Sequence, residues 1–271
     1  MSMFRRQLAE RLRTLPFELV PLLPAGFQRV GTLVLLRLDP QLAAYEREIG
    51  LAIRELLSAT GVFVREGVIG ELRTPAVRRI AGYEDVTVHK ENGCLFKIDV
   101  TKVLFAKGNA AERGRIIADP GEQVVDMFAG IGYFSLGIAK RTPSCRVTAI
   151  EKNPDAAALL RENVELNGLD NVTVIEGDCR EVQAAGDRVV MGYFPGTEAY
   201  LPAAFGFLHR TGTIHYHNRY AQQDLWRKPL GELQATGVAC GFQIEVLDKR
   251  VVKSLSPSKV HVVVDARARK L

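Results

Sequence analysis

Ten residues carry the clearest chemistry in this sequence. Gln123 to Gly132 reads Gln-Val-Val-Asp-Met-Phe-Ala-Gly-Ile-Gly. It is a short β-branched run of the kind a buried parallel strand needs, then an acid, then two glycines two residues apart. Asp126, Gly130 and Gly132 fall where that strand must turn into a helix from Tyr133 to Arg141. Glycine there permits a tight turn and lets a ligand approach bare backbone. A second apolar run, Val147 to Ile150, ends in Glu151, twenty-one residues after Gly130. An acid at that offset is where a doubly wound fold holds a ribose diol. The glycines do not complete the G-x-G-x-x-G of a dinucleotide site, because residue 135 is Ser, and no Lys-Ser/Thr follows to form a phosphate loop. One acid and no added cation suit a nucleoside without phosphates. The plain alternative is an ordinary strand-to-helix turn, against which the independent acid at 151 argues.

Further positions face the same mouth. Asp178 follows a third apolar run, Val172 to Glu176. It is placed to accept from an adenine amino group while the next backbone N–H, that of Cys179, meets a ring nitrogen; the alternative is a helix cap for Arg180 onward. Arg113 lies on a helix that Asn109 would cap and that leads through Asp119-Pro-Gly-Glu into the glycine strand. A guanidinium there suits a ligand carboxylate, which wants a charge-assisted partner; otherwise it pairs with a neighbouring acid. S-adenosylmethionine meets each demand: a nucleoside without phosphates, a cationic sulfonium and a carboxylate. At the exit of the fourth strand stands Gly192-Tyr193-Phe194-Pro195. Enzymes that methylate a base nitrogen often carry Asn/Asp-Pro-Pro-aromatic at this place, and that clamp is missing here. Tyr193 and Phe194 still offer aromatic faces to an unpaired base. His215 and His217 are candidates for a general base, but strand-end histidines are more often structural, and none stands out.

The elements that must position these groups follow from pattern. From Val124 onward the order is strand, helix, strand, helix. The runs ending in residues 126, 151, 176 and 191 form a parallel sheet, and Thr211 to Asn218 adds a fifth strand. A helix follows around Gln222 to Thr236. Gln243 to Val252 and Lys259 to Arg267 then close as an antiparallel pair, so the sheet has seven strands and its ligand edge lies at the strand C-ends. Ahead of it, residues 1–100 read as a smaller α+β domain: a helix over Phe4 to Leu15, a strand from Leu33 to Leu38, and a helix from Gln41 to Leu57 after Asp39-Pro40. Val62 to Ile69 reads as a hairpin, as does Val86 to Val100 around Glu91-Asn92-Gly93. His89 sits on the latter. Arg73-Thr-Pro-Ala-Val-Arg-Arg reads as an arginine-bearing loop, a candidate backbone-phosphate contact or simply a solvated surface.

Composition narrows the class. With 271 residues, 47% hydrophobic and 25% charged, the chain can bury a sizeable core and has the balance of a soluble globular protein. No apolar run reaches the ~18 residues of a membrane span, and the basic N-terminus is not followed by a signal core, so no membrane partner and a cytoplasmic location are expected. Cys94, Cys145, Cys179 and Cys240 form no C-x-x-C pair, which argues against a zinc or iron–sulfur site, and no metal is expected. The net charge of +5 is unevenly spread: residues 1–119 carry +4 and residues 120–271 carry +1. A mildly basic domain ahead of a nucleoside site suits an RNA substrate. Nothing in the pattern requires an oligomer.

Taken together, several stretches resemble the archaeal wybutosine-synthesis tRNA aminocarboxypropyltransferases. They are Val88-His-Lys-Glu-Asn-Gly, Val103-Leu-Phe-Ala-Lys-Gly-Asn-Ala-Ala-Glu-Arg-Gly-Arg-Ile, Asp126 to Gly132, Ala149-Ile-Glu-Lys-Asn-Pro, Met191-Gly-Tyr and Ile214-His-Tyr-His-Asn. These enzymes are class I S-adenosylmethionine-dependent transferases with a Rossmann-like sheet, sister to the tRNA guanine-N1 methyltransferases. The resemblance implies a 101–271 transferase domain behind the 1–100 domain. It implies S-adenosylmethionine as donor of its 3-amino-3-carboxypropyl group, and tRNA as partner, modified at C7 of 4-demethylwyosine 3′ of the anticodon. It further implies that Ala106, Arg113, Glu151, Asp178 and Cys179 line the cofactor beside Asp126, Gly130 and Gly132. Relatives often have Ser where Ala106 stands, so a hydroxyl contact is lost there. Arg113 would aim the methionine chain. Lys107, Tyr193, Phe194 and Arg73 are the substrate-side candidates. A methyltransferase on the same nucleotide and a non-catalytic tRNA binder are the competing readings.

Overall fold

β-branched runs separated by amphipathic helices leave the chain one way to bury both sides of its strands, and it takes that way. A computed structural model describes residues 1–271, the side chain of Lys107 excepted. The chain divides into two compact units. The first holds Met1–Lys90 with Leu95–Phe105, and the second holds Glu91–Cys94 with Ala106–Leu271. No described helix is long and apolar enough to cross a membrane.

In the first unit, α1 (Met3–Arg11) precedes β1 (Gln28–Val30) and β2 (Leu33–Leu36); α2 (Glu46–Leu57), β3 (Gly61–Ile69) and β4 (Thr74–Gly82) follow. These strands form a four-stranded sheet in the order β1-β2-β3-β4. Ile49, Ala52 and Ile53 of α2 pack on Val34, Leu36, Val62 and Val64. Three expectations need correction. Val62 to Ile69 is one strand rather than a hairpin: Gly67 marks a register shift in the β3–β4 ladder, and the turn falls at residues 70–73. The stretch after Arg73 is therefore a strand and not a loop. Residues 40–45 form a 3₁₀ turn, so the α-helix starts only at Glu46. β5 (Val86–Glu91) and β6 (Cys94–Asp99) pair as a two-stranded sheet, with Asn92 and Gly93 both at positive φ in the turn. His89 Nδ1 lies 3.4 Å from the Gly31 N–H.

The second unit begins with α3 (Ala110–Arg115), followed by β7 (Gln123–Asp126), α4 (Ser135–Arg141), β8 (Arg146–Glu151), α5 (Pro154–Leu166) and β9 (Val172–Glu176). Then come β10 (Gly186–Met191), α6 (Leu201–Phe207), β11 (Leu208–Ala221), α7 (Arg227–Ala239), β12 (Phe242–Ser256) and β13 (Lys259–Lys270). The sheet has the expected seven strands, in the order β12-β13-β11-β10-β7-β8-β9. Its five strands from β11 to β9 run parallel, and β13 alone runs against them: it pairs antiparallel with both β11 and β12, so the edge strand β12 points the same way as the parallel set. One face buries Val124, Val190, Phe134 and Ile138 around α4; the other buries Val125, Val189, Ile214 and Tyr216 against Phe205 of α6 and Leu233 of α7. Register sets Asp126 level with Ala149 and Val190, and Glu151 level with Glu176, so the acids gather at one edge.

Candidate active site

The spacing between Gly130 and Glu151 is a hydrogen bond. Glu151 ends β8, and its Oε2 accepts from the Gly130 N–H at 2.7 Å while Oε1 accepts from the Asn153 N–H at 2.8 Å. The carboxylate thus pins the glycine loop to the neighbouring strand and opens α5, and burial raises its pKa. Gly130 and Gly132 hold φ of +57° and +101°, where L side chains are strained. A Cβ on Gly130 would also lie 2.4 Å from the Tyr133 ring. Asp126 is fully buried at the end of β7. Its Oδ2 accepts from Ser135 Oγ at 2.6 Å, so the serine that breaks the dinucleotide pattern serves to hold this acid. Burial still pushes the carboxyl up to about 6.

Asp178 lies past β9. The Arg180 guanidinium holds its carboxyl well below the usual carboxylate range, with Lys152 Nζ at 3.2 Å adding to this. Its Oδ1 also accepts from the Arg180 N–H at 3.0 Å, but only a turn follows, so no helix is capped. Cys179 is buried in the sheet core, and burial pushes its thiol up to about 12. It is no nucleophile at neutral pH.

Arg113 is buried on α3. Its Nε and one terminal nitrogen donate to the two carboxylate oxygens of Glu91, at 2.7 and 2.9 Å, and the other donates to the Ala106 carbonyl at 3.0 Å. The guanidinium lies 5.6 Å from the Tyr133 ring centroid, beside the glycine loop. Ala106 takes part through its backbone, which needs no side-chain hydroxyl. Glu91 was not among the residues the sequence pointed to; it reads there only as the start of an Asn-Gly turn. Asn109 occupies the N-cap position of α3 without capping it, and its Oδ1 is buried with no partner.

At the β10 exit the two aromatics part. Tyr193 stacks on Phe128, with ring centroids 5.0 Å apart and planes at 23°, and Tyr200 meets Phe128 edge-on. Arg180 lies over Tyr200 at 4.8 Å, linking this cluster to Asp178. Phe194 instead lies against His261 of β13, centroids 4.3 Å apart. The place a side chain at Gly192 would fill is taken by Phe134, whose Cε2 stands 2.5 Å from an ideal Cβ there.

The two histidines of β11 differ. His215 accepts from Arg188 at Nε2 (2.8 Å) and donates from Nδ1 to Asp265 (2.6 Å). Asp265 also holds Arg115 at 2.8 Å and Arg250 at 3.0 Å, so His215 belongs to a buried ion cluster. A polar cleft of about 400 Å³ opens beside it, lined by Asp119, Glu122, Asp187 and Arg188 among others. It contains none of the glycine-loop residues. His217 instead meets His261, Nδ1 to Nε2 at 3.2 Å.

Arg73 and Lys107 are the remaining substrate-side candidates. Arg73 belongs to the first unit, at the β3–β4 turn with φ of +56°. Its neighbours Arg78 and Arg79 pair with acids, Arg78 with Glu46 and Glu66, and Arg79 with Asp85. The side chain of Lys107 lies outside the described residues.

Known proteins match this arrangement along its length. Residues 87–247 match the TRM5/TYW2 methyltransferase domain and residues 8–86 the TYW2 N-terminal domain. The chain belongs to the TRM5/TYW2 family. Within it, the chain is 38% identical to the tRNA(Phe) (4-demethylwyosine(37)-C(7)) aminocarboxypropyltransferase of Methanocaldococcus jannaschii, over 90% of this chain and 98% of that protein. It is 36% identical to the tRNA (guanine(37)-N(1))-methyltransferase Trm5b of Pyrococcus abyssi, over 93% of this chain and 77% of that one. The crystal structure of P. horikoshii TYW2 in complex with MeSAdo superposes with a TM-score of 0.87 at 35% identity, covering 98% of this chain and all of that one.

Proposed function

We propose that this protein transfers the 3-amino-3-carboxypropyl group of S-adenosylmethionine to C7 of 4-demethylwyosine at nucleotide 37 of tRNA(Phe). One observation carries the reading: the relative so named matches over nearly its full length, at 38% identity. The empty amide position at Gly192 supports it, since a nitrogen-methylating clamp would need a side chain where Phe134 now lies.

The residues at the strand edge fit the donor. Two glycines leave backbone open, Glu151 presents a carboxylate to a ribose diol, and Asp178 with the Cys179 N–H suits adenine. Asp126 supplies negative charge near a sulfonium. Arg113 suits the carboxylate of the methionine chain, held beside the loop by Glu91 and the Ala106 carbonyl. When bound, the donor supplies a sulfonium with three electrophilic carbons, and the choice among them is one of alignment. Arg113 makes that choice by fixing the chain rather than the methyl toward the acceptor. Tyr193 and Phe194 offer it stacking surfaces. Residues 1–100, Arg73 among them, contact the tRNA together with Lys107, and the reaction takes place in the cytoplasm.

The test is a product analysis. Protein is incubated with tRNA bearing 4-demethylwyosine and S-adenosylmethionine labelled either on the methyl or on the carboxyl carbon. Carboxyl label should enter tRNA and methylthioadenosine should be released. Methyl label in tRNA, with release of S-adenosylhomocysteine, would establish instead the methyltransferase chemistry of the Trm5b relative. No label in tRNA from either donor, despite donor binding, would leave a tRNA binder.

A further inference from the structure

Attack by an aromatic carbon leaves a proton to be removed, and the carboxylates at the glycine loop are already engaged, Glu151 by two backbone N–H groups and Asp126 by Ser135. The second unit does so elsewhere. His217 and His261 lie in adjacent strands of the sheet, each about 2% exposed or less. Their rings share one hydrogen bond, which leaves His217 Nε2 and His261 Nδ1 as buried nitrogens with no partner. Unpaired buried polar atoms are costly, and native chains keep few of them without a use. Their position is informative: Met191 is level with Tyr216 in the parallel ladder, which sets His217 beside the Gly192 exit, and His261 packs on Phe194.

The proton positions follow from Glu112. Its Oε1 lies 3.9 Å from His217 Nε2. A carboxylate at that distance favours an N–H over a lone pair facing it, so His217 carries its proton on Nε2. Its Nδ1 then accepts, and His261 must donate from Nε2. The remaining nitrogen, His261 Nδ1, is left with a lone pair. Burial depresses both imidazoles to about 3, so both are neutral at physiological pH.

We propose that His261 Nδ1 accepts the proton displaced from the acceptor base, and that His217 and Glu112 hold it in the accepting tautomer. This rests on the transfer reading above. The bond between the acceptor carbon and the chain carbon forms as the carbon–sulfur bond breaks, and that electron pair leaves on sulfur. The acceptor ring is then cationic, with hydrogen still on the substituted carbon. The C–H electron pair returns to the ring and restores its aromaticity, and the proton passes to His261 Nδ1 and then to water. A cationic adduct is a strong acid, so a weakly basic imidazole suffices. In the chain alone Phe194 lies against the face of this imidazole; the acceptor carbon meets the in-plane lone pair of Nδ1 at the ring edge.

Two experiments test this. Nitrogen-15 spectra of the imidazoles, recorded without donor or tRNA, should show His261 with pyridine-type Nδ1 and pyrrole-type Nε2. Glu112→Gln should weaken that preference. The opposite tautomer in wild type would overturn the proposal. In turnover, His261→Gln should lose about 10²–10⁴-fold in rate, with S-adenosylmethionine affinity retained. Deuterium at the acceptor carbon should slow this variant and leave wild type unaffected. His217→Gln, which keeps His261, should show a smaller loss with the same isotope sensitivity and serves if His261→Gln is unfolded. Wild-type rate in these variants, or a loss without an isotope effect, would refute the assignment while leaving the transfer reading intact. Failure of wild type to release methylthioadenosine would instead remove the transfer reading and this proposal with it.

Discussion

Arg113 and Glu91 meet as a two-pronged ion pair, 2.7 and 2.9 Å, with side chains only 5% and 10% exposed. A buried pair of this kind costs most when one partner is removed, because the other charge remains uncompensated. Arg113→Ala is therefore expected to lower stability by about 3–5 kcal/mol, read as a lower denaturant midpoint. Arg113→Ala with Glu91→Gln should recover most of it. In that folded double variant, methylthioadenosine, which has no carboxylate, should bind as in wild type. S-adenosylmethionine should bind more weakly, and chain transfer should be abolished. Full activity would remove Arg113 from the site.

Asp126 predicts a pH dependence. Burial lifts its pKa from 3.8 to about 6, so the folded state holds the proton more tightly than the unfolded chain. Stability from this group is then fully present below about pH 4 and lost as pH rises through about 6. The shift corresponds to about 3 kcal/mol. Urea unfolding of wild type and Asp126→Asn across that window should show wild type losing ground by roughly that amount. A constant difference between the two would mean that the carboxyl titrates normally.

Gly192 and Phe134 compete for one space. Gly192→Asn would drive its Cβ into the Phe134 ring, which also packs edge-on against His217 at 5.3 Å. Overpacking should cost about 1–3 kcal/mol, and Phe134→Leu in the same chain should return part of it. Thermal melts of the single and double variants decide this; an unchanged melt for Gly192→Asn would show that the ring yields freely.

Glu151→Ala should leave the Gly130 and Asn153 N–H groups without their acceptor, costing about 1–3 kcal/mol. Titration calorimetry should find donor binding lost. Glu151→Gln keeps one acceptor oxygen and should lose less of both. Equal affinity in all three proteins would dissociate Glu151 from the ribose.

β7, β8 and β9 with their terminal acids were readable because each is a short run rich in β-branched residues and closed by Asp or Glu, a signal local to a few positions. Glu91 was not, since its pairing with Arg113 spans 22 residues and depends on where the hairpin tip comes to lie. His261 escaped for the same reason: alternation puts it on the strand face of Lys259 and Asp265, and only the register of β11 on β13 brings it to His217. Val62 to Ile69 reads as a hairpin because Gly67 interrupts an apolar run, whereas the sheet absorbs that glycine in a register shift. α6 went unread because Leu-Pro-Ala-Ala-Phe-Gly-Phe is apolar nearly all round and shows no helical stripe.

The tip of the β5–β6 hairpin has a consequence for how this protein can be cut. The four residues Glu91–Cys94 cluster with the second unit although both flanking strands cluster with the first, so the backbone passes between the units three times. A gene fragment beginning after residue 105 would encode every strand of the large sheet and still omit Glu91, the counter-ion of Arg113, together with Asn92, whose side-chain amide donates to the Ala110 carbonyl. The second unit is thus not a contiguous length of sequence, and no single scission yields it whole.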